Sequence, residues 1–314
     1  MKKNNLKKII PFALAAIFAA PFFAPAEGGV FEASIAAAAP KQMIVPVGTE
    51  QKLAIGTVTV YDYGKVKLHA YSTNDPMADE FYAIESKEGL VLLESGALKD
   101  NVQEFWGYLE ALKKPLKGML LSYHPNGYTA YDSKAPIYAT EGALASWGEQ
   151  GGVRALTNNF VQGFGAGKVA TDLPDKATIV KVGETVKIAG IDFKILGTPD
   201  PEGNYSVEIP AINAVYRHMM GSKVHNILPA IGYIDAEIAA LEDYRQKGYG
   251  LILTSHHAPE GQEAVAEKLA YLNKVKELAG SSEDKETFLK AVRASFPDYQ
   301  GDLYLDMTAG FLFK

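Results

Sequence analysis

No cysteine occurs anywhere in the 314 residues. That absence excludes disulfides, thiolate metal sites and cysteine nucleophiles together. Any metal would therefore rest on histidine, carboxylate or amide oxygen. A concentrated basic block is missing too: the net charge is −6, with charges of both signs scattered. This argues against nucleic acid or an anionic membrane as the main partner. No Gly-x-Ser-x-Gly elbow surrounds Ser122 or Ser255, so a serine nucleophile of that kind is not expected at either. Beyond the first 23 residues no apolar run approaches the roughly 20 residues needed to span a bilayer, and no internal repeat of short fixed period is present. What is abundant is apolar side chain, at 47%, ample for one large domain or two small ones.

The amino terminus has its own pattern. Met1 to Lys8 carries four lysines, Ile9 to Phe23 is apolar and uncharged, and Ala24-Pro25-Ala26 supplies small residues before Glu27. A charged, an apolar and a small-residue region in that order predict a secretory signal peptide over residues 1–26, with cleavage as late as 39 as the alternative. Residues 27–42 then form a linker and 43–314 one domain. The mature chain is expected to be exported (periplasmic, extracellular or at the cell surface), without a stable membrane span.

Period-two patterning predicts strands at Leu53–Tyr63, Val66–Tyr71, Phe81–Glu85 and Gly89–Leu93. Val102, Phe105, Trp106, Leu109 and Leu112 fall at helical spacing within Leu98–Lys114. A buried strand, Met119–Leu121, follows, then Ala135–Ala139 and a helix capped by Thr140. Gly148–Gly167 reads as a glycine-rich surface loop, because Gly163 to Lys168 fits no phosphate-loop spacing. A second strand-rich block covers Ala177–Val182, Thr185–Ile188, Ile191–Leu196, Tyr205–Ile209 and Ala214–Arg217, with hairpins at Val182–Glu184 and Ala189–Ile191. The last third is helical at Tyr233–Lys247, Glu260–Ala279 and Ser282–Phe296, with a short strand at Leu251–Leu253. Strands then helices, twice over, predict an α/β fold: two packed mixed sheets with helices on both outer faces.

The most informative stretch is Leu120-Leu121-Ser122-Tyr123-His124-Pro125-Asn126-Gly127-Tyr128. It resembles the His-x-His-x-Asp-His loop of the metallo-β-lactamase superfamily, with His124 kept, Ser122 and Gly127 in two other ligand slots and Asn126 in the aspartate slot. Three further fragments follow in the same order as in that superfamily. Thr198-Pro199-Asp200-Pro201 keeps a Thr-Pro frame while Asp200-Pro201 replaces Gly-His. Val215-Tyr216-Arg217 leads into His218-Met219-Met220 where a bridging aspartate is usual. Leu253-Thr254-Ser255-His256-His257 keeps a histidine, His256, in the final slot. The resemblance covers roughly Leu53 to Lys314 and implies a four-layer αβ/βα sandwich.

It also implies an eroded site. A catalytic zinc takes about three protein ligands at roughly 2.0–2.2 Å, and only His124 and His256 stand in expected places. Asp200, Glu202, His218, His225 and His257 lie near ligand slots, but a one-place slip on an extended segment turns a side chain away. His225 and His257 are read as ordinary loop or surface histidines and His69 as a plain strand residue. Tyr123, Tyr128, Tyr131, Tyr205 and Met219 either line a cleft or fill it as core. The expectation is therefore an exported binding or accessory protein for an unidentified small molecule or protein, without a cofactor, its cleft framed by Ser122, His124, Asn126, Asp200, His218, Met219 and His256. The competing expectation is a mononuclear hydrolase holding zinc or another divalent metal on His124 and His256 with one or two of Asp200, His218 and His257.

Overall fold

The structure, a computed structural model, describes residues 44–131, 134–200 and 203–313. The expected signal peptide and linker, with Pro201 and Glu202, lie outside the described residues. An antiparallel meander opens the fold: β1 (Thr49–Lys52), β2 (Thr57–Asp62), β3 (Lys67–Ser72), β4 (Glu80–Glu85) and β5 (Leu90–Leu93). Helix α1 (Lys99–Ala111) buries Val102, Phe105 and Leu109, as its spacing predicts. It crosses over to β6 (Leu116–Leu120), which lies parallel to β5, and β7 (Ile137–Ala139) and β8 (Thr178–Ile179) continue in parallel. Between β7 and β8 stand α2 (Glu141–Trp147) and α3 (Gly152–Phe164). The Thr140 side chain caps α2 by accepting from the Ala143 amide at 3.1 Å.

The second sheet comprises β9 (Thr185–Ile188), β10 (Ile191–Gly197), β11 (Tyr205–Ile209), β12 (Ala214–Tyr216) and β13 (Leu251–Leu253), in the order β13-β12-β11-β10-β9. Only β12 and β13 pair in parallel, because α4 (Ile231–Lys247) makes the crossover between them. Helices α5 (Gln262–Ser281), α6 (Lys285–Ser295) and α7 (Asp302–Leu312) complete the chain. Side-chain alternation divides the faces of this sheet. Ala214, Tyr216, Leu251 and Leu253 join the core shared with the first sheet and with α1 and α2. Val215 and Ile252 face the other way, into a core built from α4 to α7. The result is the expected two-sheet sandwich with helices on both outer faces.

Three local expectations need correction, and one helix has no counterpart in the sequence reading. Gly148–Gly167 is not a loop but contains α3: Gly151 caps its start, Gly165 ends it with φ of 93°, and Val153, Thr157 and Phe160 are its buried face. The glycines punctuate that helix rather than dissolve it. The turn Val182–Glu184 is no hairpin; it carries the chain from β8 in one sheet to β9 in the other. The Ala189–Ile191 turn is one, with Ala189 and Gly190 both at positive φ. Helix α7 escapes the sequence reading, although Asp302 and Asp306, four residues apart, both bind Arg293 on α6. Finally, the run from Leu53 begins as a turn, and β2 starts only at Thr57.

Candidate metal centre

At one edge of the sandwich the parallel strands of both sheets come to their carboxyl ends: β5 at Leu93, β6 at Leu120, β12 at Tyr216 and β13 at Leu253. Loops leaving such ends are where α/β folds collect functional groups. Here they carry Glu94, His124, His218 and His256 in turn. The sheets are laced together at this edge. The Tyr82 hydroxyl donates to the Thr254 carbonyl at 2.7 Å, and the Glu80 amide donates to the Ser255 carbonyl at 2.8 Å.

The three imidazoles converge. His218 Nε2 lies 3.0 Å from His124 Nε2 and 3.1 Å from His256 Nε2. Their ligand atoms all fall within 4.8 Å of one another, and no other such group of histidine and carboxylate occurs among the described residues. Three nitrogens on a tetrahedral zinc, at roughly 2.0–2.1 Å each, would stand about 3.3 Å apart. The two contacts made by His218 need an adjustment of only a few tenths of an ångström to match that spacing.

Proton counting supports the same conclusion. A neutral imidazole nitrogen is either donor or acceptor. His218 Nε2 has two nitrogen neighbours but offers either one proton or one lone pair, so a single group must be shared between both contacts. A cation would accept all three lone pairs at once. Burial keeps the rings ready for that role. It lowers His124 to about 4, with nearby Asp79 opposing and His256 adding to the shift. His218 is pushed well below its ordinary value by burial, and then by His256, His124 and Arg217. His256 differs: burial, the largest influence, lowers it, but Asp79, the Met77 carbonyl and Asp75 together outweigh burial and raise it.

Two devices hold this geometry. Glu94, fully buried, accepts the backbone amides of Ser122, Tyr123 and His124 at 3.2, 3.1 and 2.9 Å, and the Tyr216 hydroxyl at 2.9 Å. It thus clamps the His124 loop to the end of β5 and to β12. Tyr123 stacks flat on His218, with ring centroids 3.9 Å apart and planes within 7°. Behind His218, Arg217 is buried and ion-paired with Glu237 on α4.

The sequence-derived candidates separate cleanly. His124, His218 and His256 meet; Asp200 and His257 do not join them. The expectation that His218 would turn away is corrected: Tyr216 faces the core between the sheets, Arg217 faces α4 through Glu237, and His218 falls back on the Tyr216 side, so alternation itself brings it to the site and the position after it is the one turned away. His257 behaves as expected: its ring is a third exposed, with Nδ1 2.9 Å from the Ala258 carbonyl oxygen and 3.6 Å from Glu260. His225 is not a surface histidine; it is buried with Tyr271 and Tyr299 around its ring. His69 is a buried β3 residue bonded to Tyr108 and Glu85.

The residues that the resemblance sets in the remaining ligand slots are engaged in internal hydrogen bonds. Ser122 Oγ accepts the Tyr205 amide at 3.0 Å, and the Asn126 amide donates to Thr157 Oγ1 and the Ala170 carbonyl. Asp200 accepts from Asn204, and the Met219 carbonyl from Asn226. Ser255 Oγ pairs with the Tyr216 hydroxyl at 2.6 Å, so neither Ser122 nor Ser255 is bonded to a histidine base. Tyr131 and Tyr205 are core residues whose hydroxyls donate to backbone carbonyls. Asp79 and Glu94 escape sequence reasoning. The available signal is an acid at the end of a predicted strand, Glu94 after Leu93, and another just before one, Asp79 before β4.

No protein-family model and no curated protein matches this sequence. Solved structures do match in shape. A metallo-beta-lactamase family protein from Thermus thermophilus aligns with a TM-score of 0.54 at 15% identity, over 77% of this chain and 91% of that one. A beta-lactamase domain protein from Burkholderia ambifaria gives 0.53 at 13%, over 79% and 88%. A stereoselective inverting sec-alkylsulfatase from Pseudomonas sp. gives 0.51 at 16%, over 81% of this chain and 49% of its own. With its eight- and five-stranded sheets flanked by helices, this chain has the metallo-β-lactamase fold.

Proposed function

We propose that the protein is a mononuclear metal-dependent hydrolase acting on a small molecule, exported by its amino-terminal segment. The single observation that carries this reading is the meeting of three imidazole nitrogens on one point. The donor set suits zinc or a similar borderline divalent ion. A bound ion there supplies Lewis-acid polarisation and lowers the pKa of water towards neutrality. His124, His218 and His256 would hold it, two of them kept neutral by burial. Glu94 fixes the His124 loop, and Tyr123 covers one face of His218. One ion rather than two follows from the fate of the other slots: Ser122 and Asn126 are committed to internal hydrogen bonds.

The expectation of a cofactor-free binding protein rests on counting two imidazoles, and a third changes that arithmetic. Losing half of a ligand set that totals roughly 10–16 kcal/mol would cripple binding, whereas three imidazoles retain most of it. Export is supported by the lysine-rich, apolar and small-residue segments of residues 1–26.

The test is titration of chelator-treated protein with zinc, iron(II) and manganese(II), followed by assays on ester, thioester and β-lactam probes. Stoichiometric metal with metal-dependent turnover supports the reading. Stoichiometric metal without turnover returns the binding-protein view, and absence of metal binding removes both the ion and the hydrolase. For export, the mass of the protein recovered outside the cytoplasm should correspond to cleavage after Ala26 or as late as Ala39.

A further inference from the structure

One buried group near the triad is unexplained by ligation. Asp79 is 1% exposed, and neither carboxylate oxygen makes a well-directed hydrogen bond among the described residues. It faces the far side of a candidate ligand: Oδ1 stands 3.1 Å from His256 Nδ1. Burying an ionised carboxylate without compensation is expensive. Either a positive charge answers it or its placement costs the fold stability.

The chain invests in that placement. The Asp79 carbonyl accepts both the amide and the hydroxyl of Thr73, and its amide donates to Asp75 Oδ1 at 3.3 Å. Ala78, just before it, sits at φ of 54°, a conformation that costs a non-glycine residue on the order of 1 kcal/mol. Immediately after it, the Glu80 amide bonds to the Ser255 carbonyl, so the carboxylate is registered against the residue that precedes His256.

From this arrangement we infer that Asp79 is a positioning residue for the metal. It holds the proton of His256 on Nδ1, leaves the Nε2 lone pair aimed at His124 and His218, and sets one negative charge behind the ion. The inference rests on the three-histidine reading above. Carboxylates behind metal-binding histidines fix the tautomer and raise ligand basicity, and their loss typically costs about 10–100-fold in metal affinity. One competitor is visible: the Met77 carbonyl lies 3.3 Å from the same Nδ1 and could hold the proton alone. If it does, Asp79 is dispensable for the tautomer and for the metal.

The experiment uses the full chain, stripped of metal, as wild type, Asp79→Asn, His256→Ala and the double variant. Histidine nitrogen NMR at a pH where the rings are neutral reads the tautomer of His256 before any metal is added. Competition titration with a zinc chelator reads affinity, and urea unfolding of the metal-free proteins reads stability. The expected results are an Nδ1–H tautomer in the wild type that becomes mixed in Asp79→Asn, and zinc binding about 10–100-fold weaker in that variant. The metal-free Asp79→Asn protein should be at least as stable as wild type, since the substitution removes a poorly compensated charge. A merely structural aspartate would lower stability instead. In the His256→Ala background, Asp79→Asn should add less than about threefold, since its effect runs through His256. An Nε2–H tautomer in the wild type, an unchanged tautomer and affinity in Asp79→Asn, or an equal loss without His256 would each overturn the inference. Failure of every protein to bind zinc would sink the metal reading, while the tautomer measurement would still decide what Asp79 does to His256.

Discussion

Tyr123 and His218 lie face to face, 3.9 Å between ring centroids and 7° from parallel, though they come from loops on different sheets. The contact fixes the orientation of the one imidazole whose nitrogen touches both others. An aromatic pair of this kind is worth about 0.5–1.5 kcal/mol beyond its burial. Tyr123→Phe keeps the ring and should hold zinc affinity within about threefold, whereas Tyr123→Ala should weaken it about tenfold, as loss of an outer support does. Chelator competition separates the two. Equal losses in both variants would show that the phenol oxygen, not the stack, matters.

Glu94 offers a sharper test of the loop. Four donors point at one buried carboxylate. Glu94→Gln replaces an acceptor-only group by one carrying an amide NH2, leaving donors facing donors. The expected loss is about 3 kcal/mol or more, since each stranded buried donor costs about 1–3 kcal/mol. Urea unfolding measures it, and a loss below about 1 kcal/mol would mean that the loop finds other acceptors.

Acid should weaken the fold through His225. Burial lowers this residue to about 4, against about 6.5 for an exposed imidazole. Between those values the unfolded chain binds the proton and the folded one does not. Stability is therefore fully present above about pH 6.5 and declines as pH falls towards 4. His124 and His218 act in the same direction in metal-free protein. Replacing His225 by Gln should lower overall stability but flatten the pH dependence in this window by up to about one proton. Urea midpoints from about pH 7.5 down to about 4.5, spanning that window, check this, and an unchanged slope would place the acid sensitivity elsewhere.

The architecture is legible because most elements obey simple periods. Thr185–Ile188, Tyr205–Ile209 and Leu251–Leu253 emerge with the boundaries that their patterning implies. Helix α3 is hidden because the glycines at its ends outweigh the buried stripe of Val153, Thr157 and Phe160. The site is half legible. His124 and His256 stand in expected slots and meet at the centre, and Asn126 and Ser122 are tied into internal hydrogen bonds. His218 is missed because the resemblance puts the ligand slot one place later, at Met219, whereas the in-and-out alternation of Tyr216 and Arg217 carries His218 to the site. Asp79 lies far from His256 in sequence, and only the packing of the two sheets brings them together.

The most direct test is metal stoichiometry and affinity of wild type against His218→Ala, by elemental analysis of protein purified without chelator and by competition titration. The account predicts one divalent ion per wild-type chain and a loss of about a hundredfold or more in the variant, the share of one ligand among four in a zinc site. Wild-type protein that retains no ion, or a His218→Ala variant that binds it as tightly, would contradict the three-histidine centre.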